Sequence, residues 1–97
     1  MGRIRRTQQA KEDLVEILKH LRGLSEKAAD RVADEIDQKL HLLAQFPMLG
    51  TARDEFSFGL RSAATGNHVI FFRPLSDGIR VIRILYGRRD FTAINWE

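Results

Sequence analysis

The sequence predicts an α+β fold in which a helical hairpin packs on a small antiparallel sheet, in the order β-α-α-β-β-β. Three observations carry that expectation. Two consecutive stretches place apolar residues at helical spacing and are joined by only two or three residues. Three later stretches are rich in apolar residues and are separated by short turn sequences. At 97 residues the chain has room for one core and not two, so residues 1–97 are expected to form one domain.

The opening RIRRT suits a short strand with Ile4 as its buried side chain. Thr7 is the expected N-cap of a first helix, whose apolar face is Ala10, Leu14, Ile17, Leu18 and Leu21. Gly23 is expected to stop that helix, with Leu24 folding back on its last turn. Ser25 caps a second helix with the stripe Ala29, Val32, Ala33, Ile36, Leu40 and Leu43, and Pro47 ends it. So short a link makes the pair antiparallel, sharing one core.

LGTARDEFSFG, between Gly50 and Gly59, has no period and reads as an exposed loop. Leu60–Thr65 and His68–Pro74 flank Gly66-Asn67, a dipeptide able to supply the positive φ of a tight hairpin. Ser76-Asp77-Gly78 is a second turn, leading into IRVIRILY. Three strands in a row with short turns make a meander, and the helices must cover one of its faces.

Composition narrows the function. There is no cysteine, which removes disulfides and thiolate metal sites. No uncharged apolar run is long enough to span a membrane, and the first residues do not read as a secretory signal, so a cytoplasmic location is expected. Net charge is +3, too small by itself to argue for nucleic-acid binding. Yet all seven basic residues after position 50 are arginines, and their planar forks suit phosphate and carboxylate better than lysine does.

Ile79–Tyr86 concentrates the question. One alternation set is Ile79, Val81, Arg83 and Leu85; the other is Arg80, Ile82, Ile84 and Tyr86. Both sets are mostly apolar and each holds an arginine. A strand covered on both faces has that pattern, and so does a sheet with one face in a shallow groove. In a fold with a single helical layer the groove is the expected form, and it would serve as a docking surface. Arg61 and Arg83 could converge there on a phosphate or an acidic side chain, or each could make its own ion pair with Asp77 or Asp54. Tyr86 beside Arg88 and Arg89 could act as a base or stack on one, or be an amphipathic residue with a packed ring and a wet hydroxyl. His20, His41 and His68 lack metal-ligand spacing, and neither a metal nor a cofactor is expected. Glu12, Asp13 and Glu16 read as the wet face of a helix. Phe56 and Phe58 either tuck into the core or make contacts, and Trp96 is the better candidate for a contact residue.

Four pieces in order resemble the ParE branch of the RelE/ParE toxin superfamily: Phe46–Gly50 (FP-x-x-G), Gly59–Ser62 (GLRS), Ile70–Arg73 (IFFR) and Arg83–Asp90 (R-I-L-x-G-R-R-D). The likeness spans nearly the whole chain. It implies the toxin half of a bacterial type II toxin–antitoxin system, held in check by a cognate antitoxin with a DNA-binding N-terminal part and an amphipathic C-terminal tail. ParE-like members act on DNA gyrase and are not nucleases; RelE-like members cut mRNA on the ribosome. The resemblance implies Arg61, Arg83, Arg88, Arg89 and Trp96 as target-binding residues, and Leu14, Leu18, Phe72, Val81 and Arg83 as antitoxin-binding ones. The tail from Arg88 to Glu97 is the expected target-facing segment. Were the chain a ribonuclease, Arg61, Arg83 and Tyr86 would be its catalytic residues. No lysine follows Lys39, so the lysine pair of RelE-like sites is missing, whereas a tyrosine replaces the histidine many ParE-like chains carry at Tyr86. The GRRD ending favours gyrase. A third possibility is an inactive toxin kept as an antitoxin-binding corepressor.

Overall fold

The computed structural model describes residues 2–96. Strand β1 (Arg3–Arg6) leads into helices α1 (Gln8–Leu24) and α2 (Glu26–Gln45), then β2 (Thr51–Ala52), β3 (Arg61–Thr65), β4 (His68–Leu75) and β5 (Gly78–Tyr86). Single-turn 3₁₀ helices follow α2 at Pro47–Leu49 and β5 at Phe91–Ala93. This is the expected α+β architecture with one strand more: Thr51–Ala52, inside the stretch read as a loop, adds β2 to the edge of β3. The sheet order is β1-β5-β4-β3-β2, antiparallel except that β1 runs parallel to β5.

Local chemistry sets the boundaries. Thr7 caps α1, its Oγ1 accepting from the Ala10 N–H at 3.0 Å. Gly23 does not stop the helix, which runs one residue past it, and Leu24 stays 73% exposed instead of folding back. The break comes at Ser25, whose extended backbone (φ −166°, ψ 122°) needs no glycine. Ser25 closes α1 through its N–H to the Leu21 carbonyl (2.7 Å) and caps α2 through its Oγ, which accepts from Ala28 N–H (3.2 Å). One residue thus makes the whole hairpin connection. Gly50, the last residue of FP-x-x-G, has no room for a side chain: a Cβ would lie 2.5 Å from the Phe72 ring. Gly66 takes φ +58° in the β3–β4 turn, as its sequence predicts.

The sheet has a core on each face. Facing the helices, Ile70, Phe72, Ile79, Val81 and Ile84 pack with Ala10, Ile36, Leu40 and Leu43. On the other face Leu60, Phe71, Ile82 and Leu85 pack with Trp96, and with the half-buried Phe56, Phe91 and Ile94. The expected open groove is therefore closed by the C-terminal tail and the β2–β3 loop. A β-bulge lets β5 serve both cores. Phe71 pairs with Arg83 but Phe72 with Val81, leaving Ile82 as the extra residue. Beyond it the alternation changes parity, so Val81 and Ile84 share one face while Ile82 and Leu85 share the other.

One polar cluster ties α1 to the sheet. β1 pairs with β5 only as far as Val81, and from there α1 takes its place along the β5 edge. The Thr7 N–H donates to the Val81 carbonyl and Thr7 Oγ1 to the Ile82 carbonyl at 2.8 Å. Asp13 then accepts from the Ile84 N–H (3.0 Å) and takes two bonds from the Arg83 guanidinium, at 2.7 and 2.9 Å. Asp13 is not on the wet face of the helix, and it, instead of Asp77 or Asp54, is the partner of Arg83. Both side chains are about seven-eighths buried (13% and 14% exposed), so the pair is little screened. Asp13→Ala would strand a guanidinium and an edge N–H, and is expected to cost about 3–5 kcal/mol in urea denaturation. Asp13→Asn keeps an acceptor for Ile84 and should cost less. A loss under about 1 kcal/mol for the alanine variant would mean that the clamp behaves as an exposed pair.

Candidate functional site

The end of the β4–β5 ladder, next to the Gly66-Asn67 turn, carries the most reactive grouping. His68 and Tyr86 are register partners there, with rings 6.1 Å apart in an edge-to-face arrangement. Tyr86 is 50% exposed, and its hydroxyl can reach a partner. Past it, Gly87 N–H donates to the Asn67 carbonyl and Arg89 N–H to the Tyr86 carbonyl. These bonds fold Gly87-Arg88-Arg89 into a turn. Arg88 lines a hollow of about 240 Å³ with Asn67, His68 and Tyr86. On the helical side Glu16, Ile17, His20 and Leu21 of α1 wall a cleft of about 510 Å³ against Asn67, His68 and Tyr86. A larger cleft, about 660 Å³, continues under the turn toward Val32 and Glu35 of α2.

Burial lowers the His68 pKa, so the imidazole is neutral at pH 7. A neutral imidazole, an exposed phenol and a guanidinium thus share one hollow. They can donate to an anion or a carbonyl, and His68 can accept a proton. Sequence reasoning placed Tyr86 and Arg88 at this end of the strand and His68 at the start of a strand that could lie near the arginines, but assigned His68 no chemistry. The signal was present in the chain: His68 directly follows the hairpin turn, and the turn fixes which residue of β5 it meets.

The arginine pair expected to converge does not. Arg83 is bound to Asp13. Arg61 turns toward the Pro47–Leu49 turn, its Nη2 donating to the carbonyls of Gly50 and of Met48, the latter at 3.2 Å. Its buried Nε has no hydrogen-bond partner among the described residues. Arg88 and Arg89 are exposed and, among the described residues, make no side-chain ion pair or hydrogen bond. Of the residues proposed for antitoxin contact, Leu14 and Leu18 are half-buried on α1, whereas Phe72 and Val81 have no exposed surface (0%). Those two can influence a partner only through the helices above them.

Trp96 is likewise placed otherwise than expected. It is 6% exposed, its ring centroid 4.5 Å from that of Phe71 and 5.9 Å from that of Phe56, on which it stacks. Phe56 tucks in with it, while Phe58 stands 89% exposed. Glu97, the last residue of the expected target-facing tail, lies outside the described residues. Among the described residues no three His, Asp or Glu side chains are grouped to hold a metal ion, and no helix is long and apolar enough to cross a membrane.

A helical hairpin on a five-stranded sheet, with an arginine-bearing turn at the end of β5, defines a class of small α+β proteins. A family model described as "ParE toxin of type II toxin-antitoxin system, parDE" matches residues 4–91, and the chain belongs to this family. It is 33% identical to toxin ParE1 of Caulobacter vibrioides over 93 residues, covering 92% of this chain and 93% of that protein. Toxin ParE3 of the same organism is 29% identical over 94 residues, 96% of this chain and 94% of the relative. Among solved structures, a chain from the "Chromosomal ParDE TA system from P. aeruginosa" superposes with a TM-score of 0.73 at 24% identity, covering 89% of this chain and 96% of that one, which shows the shared fold.

Two measurements test these assignments. Trp96→Ala, or deletion of residues 91–97, removes the centre of the second core and should lower stability by about 3–5 kcal/mol in chemical denaturation; an unchanged midpoint would mean that the tail does not pack. For His68, the folded pKa lies below the ordinary value of 6.5. The unfolded chain therefore takes up the proton first, and stability is full above about pH 6.5 and falls as pH drops through the folded value. His68→Gln should flatten the melting temperature below that pH; an identical acid slope in both proteins would locate the titration elsewhere.

Proposed function

We propose that this ParE-family protein poisons DNA gyrase and is neutralised by a cognate antitoxin. The observation that carries the choice of target is the inward bonding of Arg61 and Arg83. In-line RNA cleavage needs a base for the 2′-hydroxyl and cations free to meet the charge that develops at phosphorus. The two cations that a ribonuclease of this fold would use are held by Asp13 and by backbone carbonyls, leaving Arg88 as the one cation in the hollow with Tyr86 and His68. That arrangement suits binding better than phosphoryl chemistry.

Arg88 and Arg89, on an exposed turn, are the natural contacts for the target. With the tail after Phe91 committed to the core, the target-facing segment narrows to Tyr86–Asp90. Asp90 holds that segment from below: its carboxylate accepts from Thr92 Oγ1 (2.6 Å) and Thr92 N–H (3.0 Å), and these bonds lower its pKa. For the antitoxin, exposed Val15 and Leu24 with half-buried Leu18 offer apolar surface on α1 to an amphipathic segment.

The deciding experiment adds the purified protein to gyrase, ATP and supercoiled plasmid and looks for linear DNA after detergent and protease. Gyrase-dependent linear product is expected. Arg88→Ala with Arg89→Ala should weaken it about tenfold or more, since charge-assisted hydrogen bonds are worth ~1.5–3 kcal/mol each. No linear product, together with mRNA cleavage in a ribosome assay, would overturn the reading in favour of a nuclease.

A further inference from the structure

We propose that the sheet face away from the helices carries a binding track for a single strand of nucleic acid, formed by Arg5, Arg80, Arg73 and Arg53. The strand register puts them in a row. Arg5 of β1 pairs with Arg80 of β5, and Arg80 pairs with Arg73 of β4. One position beyond the Ala52–Arg61 and Arg61–Phe72 pairings the row continues through Leu60 to Arg53, whose N–H donates to the Leu60 carbonyl at 2.8 Å. All lie on the face opposite Ile4, Ile79, Val81 and Phe72, which pack under the helices. At about 4.8 Å between strands the row spans roughly 19 Å.

Like charges directly opposite one another in a sheet are unfavourable. Charged side chains often protect sheet edges from mispairing, but Arg80 and Arg73 stand on interior strands, where no edge needs protection. Internal carboxylates do not offset them. Arg73 is held by the Phe58 carbonyl and the Ser57 hydroxyl, both at 2.7 Å, and neither is an anion. Arg5 and Arg80 are exposed with no side-chain partner among the described residues. Among the described residues, Arg53 has Glu55 at 3.5 Å on the surface, and Asp54, which lies in the loop beside Arg73, is bonded to the Gly59 N–H and makes no ion pair with the row. Beside Arg80 and Arg73 lies a hollow of about 350 Å³ lined also by Gln8, Gln9 and Trp96, with no acidic residue in it. The first turn of α1, which opens onto this hollow, carries no acidic residue either.

The chemistry of the row favours phosphates over an acidic protein segment. Protein interfaces usually centre on aromatic or aliphatic anchors, and here Ile82 and Trp96 are buried to 8% and 6% exposure, so guanidinium and amide dominate the surface. The exception is Phe58, 89% exposed on the loop whose carbonyl holds Arg73. One exposed aromatic side chain beside Arg73 in a cationic row matches the way single strands are held, by backbone charge and by base stacking. Such a track would operate whichever target the toxin attacks.

The test is fluorescence anisotropy of a labelled single-stranded oligodeoxynucleotide with the full-length protein across a salt series. Binding is expected at low salt, weakening as salt rises. Arg5→Gln with Arg80→Gln, which breaks no internal bond, should weaken it about tenfold and reduce the log–log salt slope by roughly 1.4, about 0.7 per lost phosphate contact. Phe58→Ala should weaken it about fivefold or more without changing the slope. Lys19→Gln with Lys27→Gln removes the same charge from the helical face and should leave binding within about twofold of the parent. No binding at low salt, or an equal loss in both double variants, would overturn the track. Displacement by polyglutamate at equal charge would overturn it in favour of an acidic protein.

Discussion

The fold turns on the edge of β5 that β1 leaves uncovered. β5 is nine residues long and β1 four, so past Val81 the edge of β5 would show unpaired backbone groups to solvent. Thr7, the N-cap of α1, and Asp13, six residues further along the helix, supply what a longer β1 would have supplied: acceptors and donors for Val81, Ile82 and Ile84. A helix pinned at two points along a strand has little freedom to roll or slide. Because a single residue joins α1 to α2, the second helix inherits that placement. The geometry of the cleft between α1 and Tyr86 therefore depends on the Asp13 carboxylate, which holds Arg83 and Ile84 just before Tyr86 on the same strand, and Arg83 is an architectural residue before it is anything else.

Much of this was legible in the sequence, and the failures share a cause. The helices, their caps at Thr7 and Ser25, the hairpin at Gly66-Asn67 and the meander of the last three strands follow from local pattern, and local pattern is carried by residues a few positions apart; the parallel pairing of β1 with β5 does not. What could not be read are pairings between distant segments. Asp13 and Arg83 are 70 residues apart in the chain, and on a helical wheel Asp13 simply joins other acids on a polar face. The mixed alternation of Ile79–Tyr86 did signal a strand covered on both sides; choosing a groove was the error. The missing cover was the tail, where Trp96, Phe91 and Phe56 assemble only in three dimensions. An extra residue at Ile82 also hid which side chains share a face, since a bulge changes parity without leaving a mark in the sequence.

The candidate site was legible to about the same extent. Tyr86 and Arg88 stand where strand ends meet turns, and turn sequences were read correctly. His68 entered only through register, which depends on the length of the hairpin loop. Arg61 illustrates the opposite case. Its sequence neighbourhood suggested a surface cation, yet it closes the turn after α2 by holding the carbonyls of Met48 and Gly50, beside a glycine too tightly packed against Phe72 to be anything else.

For four of the seven positions, the use of arginine after position 50 has a structural reason. Arg53, Arg61, Arg73 and Arg83 each bond to a hydroxyl, a carbonyl or a carboxylate of the protein itself. A lysine in these places would offer one compact ammonium, and a bond to a carbonyl would consume most of its reach. A guanidinium has five donors on a rigid fork, so it can fasten a loop and keep N–H groups and full positive charge at the surface. In the β2–β3 loop this double use matters most. Arg53 to Ser62 and Arg73 to Ser57 and Phe58 hold down a segment with little secondary structure, and both remain members of the cationic row. The loop is ordered by the same side chains that charge the face beside it. Lysine substitutions at Arg73 or Arg53 would therefore conserve charge but loosen the loop, coupling any loss of binding to a loss of local order rather than of electrostatic attraction.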